Sequence, residues 1–229
     1  MIRVTVTGSD LEGLLVEDPA ASVRLLLPSP GERDLVIPRW NGNEFLRADG
    51  SRPIIRTLTP LRIRLDVLRL DLEIVIHDVG VASRWAQGVA AGNPGALSGP
   101  GRGYAIDRSA RAFLLGGDET AIPAISELLE ALPTETPVRV CIEVTHPEAR
   151  LVLPDHPEST VEWCDLPSDG SPGDALIHCI KDADLDPGIR VWMAGEAGAM
   201  HRIRRLYFQD RGLARADAVI RGYWKRPRR

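Results

Sequence analysis

The sequence predicts a β lobe followed by an α/β lobe built on a parallel sheet, and three patterns carry that expectation. Apolar and polar residues alternate with period two through the first part of the chain, as in strands with one buried face. A glycine-punctuated segment, Gly99, Gly101 and Gly103, then interrupts the pattern. Beyond Arg108, short apolar strands take turns with helices, which implies a parallel sheet covered by helices. At 229 residues the chain suits two compact lobes, drawn here at residues 1–107 and 108–229.

The elements follow in order. Ile2, Val4 and Val6 alternate with Arg3, Thr5 and Thr7. Leu61, Ile63, Leu65 and Val67 alternate with Arg62, Arg64 and Asp66, after which the apolar phase flips to Leu68, Leu70, Leu72, Ile74 and Ile76. A flip of phase predicts a tight turn or bulge between two strands. Ser83 reads as the N-cap of a short helix that carries Trp85, Ala86, Val89 and Ala90 and stops at Gly92. In the second lobe, residues 112–115 predict a strand that ends in a glycine turn. A helix follows with Ile122, Ile125, Leu128, Leu129 and Leu132 on one side, and Pro123 sits in its tolerant first turn. Further strands are expected at 138–144, 161–163 and 190–194, with a surface loop at 167–172. A last helix places Met200, Ile203, Leu206 and Tyr207 together and ends near Gly212.

Composition narrows the function classes. Hydrophobic residues form 44% and charged residues 26% of the chain, ordinary values for a globular protein. No stretch has the unbroken apolar length of a membrane span, and the N-terminus lacks a signal-peptide pattern, so the expected address is cytoplasmic. A net charge of −4 argues against broad nucleic-acid binding. Cys141, Cys164 and Cys179 are odd in number and lack close paired spacing, so they read as buried structural thiols. No metal-ligand spacing stands out.

Chemistry is expected at strand ends, because open parallel sheets bind ligands at their carboxyl edge. Gly116-Gly117-Asp118-Glu119-Thr120-Ala121 leads from a strand into a helix whose free N–H groups suit a phosphate, although Asp118 and Glu119 repel one unless they face ribose or amide groups. The run Met193 to Ala199, with Gly195 and Glu196, repeats the theme with small residues. Arg202, Arg204 and Arg205 then read either as surface charges or as partners for a 2′-phosphate. In the β lobe, Arg56-Thr57-Leu58-Thr59-Pro60 offers a guanidinium and two hydroxyls on one extended segment. His77 through Trp85 places Gly80 at a helix start, a second phosphate seat; His77 alone reads as a satisfied strand-end histidine. Lys225, Arg226, Arg228 and Arg229 follow Tyr223 and Trp224 as a basic tail, either solvated or walling an anionic ligand.

Together these stretches resemble the siderophore-interacting protein family, a branch of the ferredoxin-reductase-like flavoenzymes. Six motifs occur in order over nearly the whole chain. They are Gly50 to Thr59, His77 to Trp85, Ser98 to Tyr104, Gly117 to Ile125, Ala194 to Gly198 and Gly222-Tyr223-Trp224. The resemblance implies an antiparallel β-barrel that holds FAD and a parallel-sheet domain that receives NADH or NADPH. It implies that Arg56 and Thr57 contact the FAD, with Arg56 at the diphosphate and Thr59 near the reactive edge of the isoalloxazine. Leu58 stands where the family commonly has Tyr, so apolar contact would replace ring stacking there. His77, Gly80, Ala82, Ser83 and Trp85 would hold the rest of the flavin nucleotide. Asp118, Glu119 and Thr120, with Gly195 and Glu196, would line the nicotinamide side, joined by Arg202 and Arg205 if a 2′-phosphate is bound. Trp224, Lys225 and Arg226 would meet the acceptor, an Fe(III)-siderophore, from which iron leaves as Fe(II). No residue is assigned as a catalytic acid or base, because the flavin carries the hydride and electron transfer. The chain starts in what reads as an early barrel strand, so the barrel is expected to be short at its N-terminal side. Two other readings stay open: a general flavin-dependent electron-transfer reductase, and a non-catalytic binding protein of the same fold with weakened FAD binding.

Overall fold

The computed structural model describes residues 1–29, 31–32, 34–77 and 80–226. Asp78 and Val79 of the His77 motif, and Arg228 and Arg229 of the tail, lie outside the described residues. The chain divides into two compact units, Met1–Tyr104 and a second that begins at Ala105.

The first unit is built of antiparallel strands. They are β1 (Ile2–Thr7), β2 (Ser22–Leu27), β3 (Arg39–Trp40), β4 (Phe45–Leu46), β5 (Ile54–Leu58), β6 (Pro60–Arg64), β7 (Arg69–Ile74) and β8 (Ala96–Gly101). Of these, β1, β6 and β7 are the alternating segments of the sequence, and β2, β3, β4 and β8 were not expected. Two three-stranded sheets form, ordered β1-β7-β6 and β5-β2-β8, while β3 and β4 make a small hairpin. The core joins them: Val23, Leu25 and Leu27 of β2 pack with Leu70 and Leu72 of β7 and with Leu11. The predicted phase flip falls in the turn between β6 and β7, where Leu68 adopts a positive φ of 49°.

Three local expectations are corrected. Helix α1 (Val81–Gly88) takes Gly80 rather than Ser83 as N-cap. The Ser83 hydroxyl is instead buried, accepting from His77 N–H at 2.8 Å and donating to His77 O at 2.7 Å. The helix also ends before Gly92, at Gly88, with Val89 as its C-cap. Gly99 and Gly101 belong to strand β8 rather than to a turn.

The second unit holds one five-stranded sheet of β9 (Ala112–Asp118), β10 (Val138–Val144), β11 (Ser159–Asp165), β12 (Ile189–Glu196) and β13 (Ala218–Trp224). Its order is β11-β10-β9-β12-β13 and every pairing is parallel. Helices α2 (Ile122–Ala131), α3 (Asp174–Ile180) and α4 (Ala197–Arg205) accompany it, and a wider π-type turn, Leu206–Asp210, extends α4. Leu114, Val191 and Met193 of the central strands pack with Ile180, Met200, Ile203 and Tyr207. Central strands buried on both faces read as continuous apolar runs, as in β9 and most of β12, whereas β10 shows in sequence the alternate apolar residues Val138, Val140, Ile142 and Val144. Neither α3 nor β13 was expected, because α3 is barely two turns long and β13 carries Arg221 and Gly222 and leads directly into the basic tail.

The glycine pair Gly116-Gly117 is a further correction: both lie inside β9, not in a turn. A Cβ on Gly116 would stand 2.6 Å from Met193 Sδ, and one on Gly117 would collide with the Ala194 carbonyl and the Ala121 methyl. These glycines serve close strand and helix packing rather than ligand approach. Gly117→Ala is therefore expected to lower stability by about 1–3 kcal/mol, read as a lower urea midpoint at unchanged m-value.

Candidate functional site

The carboxyl edge of the parallel sheet is built around buried carboxylates. Asp118 closes β9, and its Oδ1 accepts from Thr120 N–H at 3.0 Å and Thr120 Oγ1–H at 2.5 Å. Its Oδ2 accepts from Glu196 N–H at 2.8 Å and from the Trp224 indole Nε1–H at 2.8 Å. One side chain thus ties the ends of β9, β12 and β13. Gly195 makes room for it: a Cβ there would lie 2.7 Å from Asp118 Oδ2. Burial pushes the Asp118 pKa up, and hydrogen bonds from Thr120 and Trp224 pull it back.

The neighbouring acids repeat the design. Glu119 Oε1 accepts from Thr145 N–H at 2.5 Å and Thr145 Oγ1–H at 2.8 Å, joining the turn after β9 to the end of β10. Glu196 Oε2 caps α4 by accepting from Ala199 N–H at 2.8 Å, while its Oε1 accepts from Arg226 N–H at 3.2 Å. Glu143 of β10 accepts from Gly173 N–H at 2.7 Å and Leu176 N–H at 3.0 Å, which anchors the start of α3. Burial raises its pKa, opposed by those two backbone donors. Glu143 was not among the predicted residues. The available signal was a carboxylate near the end of the strand Val138 to Val144, whose other charge, Arg139, stands near its start.

Asp118, Glu119, Thr120, Gly195 and Glu196 therefore do lie together, and their first task is to knit the sheet edge. Oxygen lone pairs left over at such an edge match ribose hydroxyls and amide N–H groups and repel phosphate. The predicted phosphate clamp is divided. Arg202 forms an ion pair with Asp174 at 2.6 Å and donates to Pro172 O. Arg204 donates to Ile220 O. Arg205 is exposed.

The beginning of the tail belongs to this edge. Tyr223 stands edge-on to Trp192 at 6.3 Å, Trp224 is tied to Asp118, and the Arg226 backbone is tied to Glu196. Lys225 and Arg226 are exposed beside them.

In the first unit, Arg56 and Thr57 are exposed on the sheet-edge strand β5. The Arg56 guanidinium donates to Ile55 O at 2.9 Å. Thr59 is buried between β5 and β6. Leu58, Ala82 and Trp85 pack against the core cluster of β2 and β7. Leu58 is half-buried, with part of its apolar surface against the protein core. Among the described residues no side chain caps the start of the eight-residue helix α1 at Gly80, so none of them satisfies its first N–H groups from a cap. The His77 ring leaves no room for a Cβ on Gly80. Gly80 is thus required by the packing of His77, and the same unit exposes the Arg56 cation.

Comparison with known proteins agrees with this division. Residues 1–104 match the siderophore-interacting FAD-binding domain, and residues 110–227 match the siderophore-interacting protein family. An uncharacterised protein of Mycobacterium tuberculosis is 40% identical over 191 residues, covering 77% of this chain and 67% of that protein. The ferric vibriobactin reductase of Vibrio cholerae is 27% identical over 232 residues, covering 99% of this chain and 84% of the other. The crystal structure of a siderophore utilization protein from T. fusca superposes with a TM-score of 0.79 at 30% identity, covering 98% of this chain and 86% of that one.

The Asp118 junction yields a graded test. Trp224→Phe keeps the aromatic bulk and removes one donor, at an expected cost of about 1–2 kcal/mol. Asp118→Asn turns an amide N–H₂ toward groups that are themselves donors, and is expected to cost more, about 2–4 kcal/mol. Chemical denaturation of the two variants checks the order.

Proposed function

Because the chain belongs to the siderophore-interacting protein family, we propose that it is an FAD-dependent reductase that draws electrons from NADH or NADPH and passes them to Fe(III) held by a siderophore. The observation that carries this reading is the near-complete coverage of the ferric vibriobactin reductase match, 99% of this chain. When bound, FAD accepts the hydride of a nicotinamide and releases its electrons one at a time. Oxygen-donor siderophores hold hard Fe(III) far better than Fe(II), so a single electron frees the metal.

The chain's own residues supply binding and positioning. Arg56 on β5 and the uncapped start of α1 would receive the FAD diphosphate. The oxygen-rich edge at Asp118, Glu119 and Glu196 would receive the ribose and carboxamide of the nicotinamide nucleotide. The ion pair of Arg202 with Asp174 removes one candidate cation for a 2′-phosphate, which favours NADH as the donor. Lys225 and Arg226 stand exposed at the same sheet edge. An anionic ferric complex would be drawn there by charge, beside the exposed ring of Trp224.

Anaerobic titration tests the reading directly. The FAD-loaded chain is expected to bleach with NADH at a higher kcat/KM than with NADPH, and to regain its colour on mixing with an anionic Fe(III)-catecholate while Fe(II) appears in a ferrous chelator. Arg56→Ala should weaken FAD binding about tenfold or more, the value of a charge-assisted phosphate contact. Neutralising Lys225 and Arg226 should slow only reoxidation by the anionic chelate, as added salt should. A chain that binds FAD and is reduced, yet does not reduce ferric chelates, would be a reductase for a different acceptor.

A further inference from the structure

The second unit gathers all three cysteines of the chain on one face of its sheet, and this cluster has no part in the function proposed above. Cys141 of β10 lies opposite Glu162 of β11 in the parallel register. Cys164 follows two residues later on β11 and so shares that face. Helix α3 lies over it and brings Cys179 down onto Cys141, with the two Sγ atoms 2.7 Å apart. The Sγ atoms of Cys141 and Cys179 and a carboxylate oxygen of Glu162 all fall within 4.8 Å of one another.

Two chemistries fit three such donor atoms: capture of a soft cation, and oxidation of the thiols. Arg139 decides between them. Its guanidinium stands 3.1 Å from Glu162 Oε2, 3.2 Å from Cys179 O and 3.8 Å from Cys179 Sγ. A positive charge already occupies the place where a divalent ion would need the carboxylate and the sulfur. The same charge favours a thiolate. Access is unequal as well: Cys141 is fully buried, whereas Cys179 is partly exposed. Cys179, Cys164 and His178 line an open cleft of about 380 Å³.

We propose that Cys179 and Cys141 form a peroxide-oxidisable dithiol whose product is a disulfide joining α3 to β10. Cys179, at the cleft, meets the oxidant. Its thiolate attacks one oxygen of hydrogen peroxide, the O–O bond breaks, and hydroxide leaves to give the sulfenic acid. The buried Cys141 thiol then gives up its proton and its sulfur attacks Cys179 Sγ. The S–OH bond breaks, the S–S bond forms, and water departs. In sum two thiols lose two electrons and two protons to the peroxide. The sulfurs are already within non-bonded contact, so α3 need not leave the sheet for the bond to close. Hydrogen bonds from the Cys141 and Cys164 thiols hold the Cys179 thiol well below its ordinary pKa range, and Arg139 adds to the effect. Cys141 and Cys164 are held above theirs by the hydrogen bond to Cys179 and then by burial. That asymmetry assigns attack to Cys179 and resolution to Cys141.

The test uses the intact native chain. It is exposed to hydrogen peroxide, quenched with N-ethylmaleimide, and mapped by peptide mass spectrometry without reduction. The expected result is a linked Cys141–Cys179 peptide, an alkylated Cys164, and full recovery of alkylation after dithiothreitol. Cys164→Ser should still form the link. The oxidised chain should also melt at a higher temperature than the reduced one, and the difference should vanish on reduction. Three cysteines still alkylated after peroxide, a Cys164–Cys179 link, or Cys179 arrested as a sulfinic acid would each overturn the proposal. So would equimolar Zn²⁺ that shields Cys141 and Cys179 from alkylation, since the cluster would then be a metal site.

Discussion

The Asp118 carboxylate is the constraint on which the carboxyl edge of the second unit's sheet depends. It sits 8% exposed at the end of a central strand, where an ionised carboxylate is expensive unless fully hydrogen-bonded. Four donors meet that requirement, and they come from the turn after β9, from the backbone of β12 and from the indole of β13. The cost of burial is thereby converted into connectivity, because no donor can move without leaving part of the charge unpaired. Gly195 is needed for the same reason, since any side chain would enter the space of the carboxylate.

Around this point the sheet edge follows one rule. Glu119, Glu143 and Glu196 each direct carboxylate oxygens at backbone N–H groups of loops or helix starts. Helix starts leave donors unpaired, and acidic side chains satisfy them from within the sheet. A binding edge made this way is rich in acceptors, unlike the glycine-rich phosphate cradle of many nucleotide domains. The first unit is the complement: Arg56 is exposed, and among the described residues no side chain caps the start of α1. The two units therefore offer opposite chemistry, a guanidinium and backbone donors in one and carboxylate acceptors in the other.

The thiol cluster shows how the same sheet can carry a second function on a face away from its carboxyl edge. Parallel register places Cys141, Glu162 and Cys164 side by side, and the anchoring of α3 through Glu143 positions the helix that bears Cys179. A carboxylate on β10 thus fixes the helix whose thiol meets another residue of β10. Binding edge and dithiol share a strand, although their chemistry is separate.

Local pattern by itself determined the fold class, the strands β1, β6, β7 and β9 to β12, helix α2 and the ordered motifs, because period-two and helical spacing are properties of neighbouring residues. It also marked Asp118, Glu119 and Glu196 as strand-end groups. What those groups do was decided only by tertiary structure. The donors to Asp118 lie as far off as Trp224, 106 residues along the chain, and no local pattern records such a pairing. Gly116 and Gly117 read as a turn but are packing glycines, since their reason is the backbone of a neighbouring strand. Leu58 packs in part on a core drawn from β2 and β7, a contact that its neighbours in sequence do not record. The cysteines, spaced without any motif, meet because a parallel register and a helix crossing bring together residues 38 positions apart. Spacing along a chain reports the faces of single elements; the pairing of faces is set by burial and hydrogen-bond satisfaction across the whole unit.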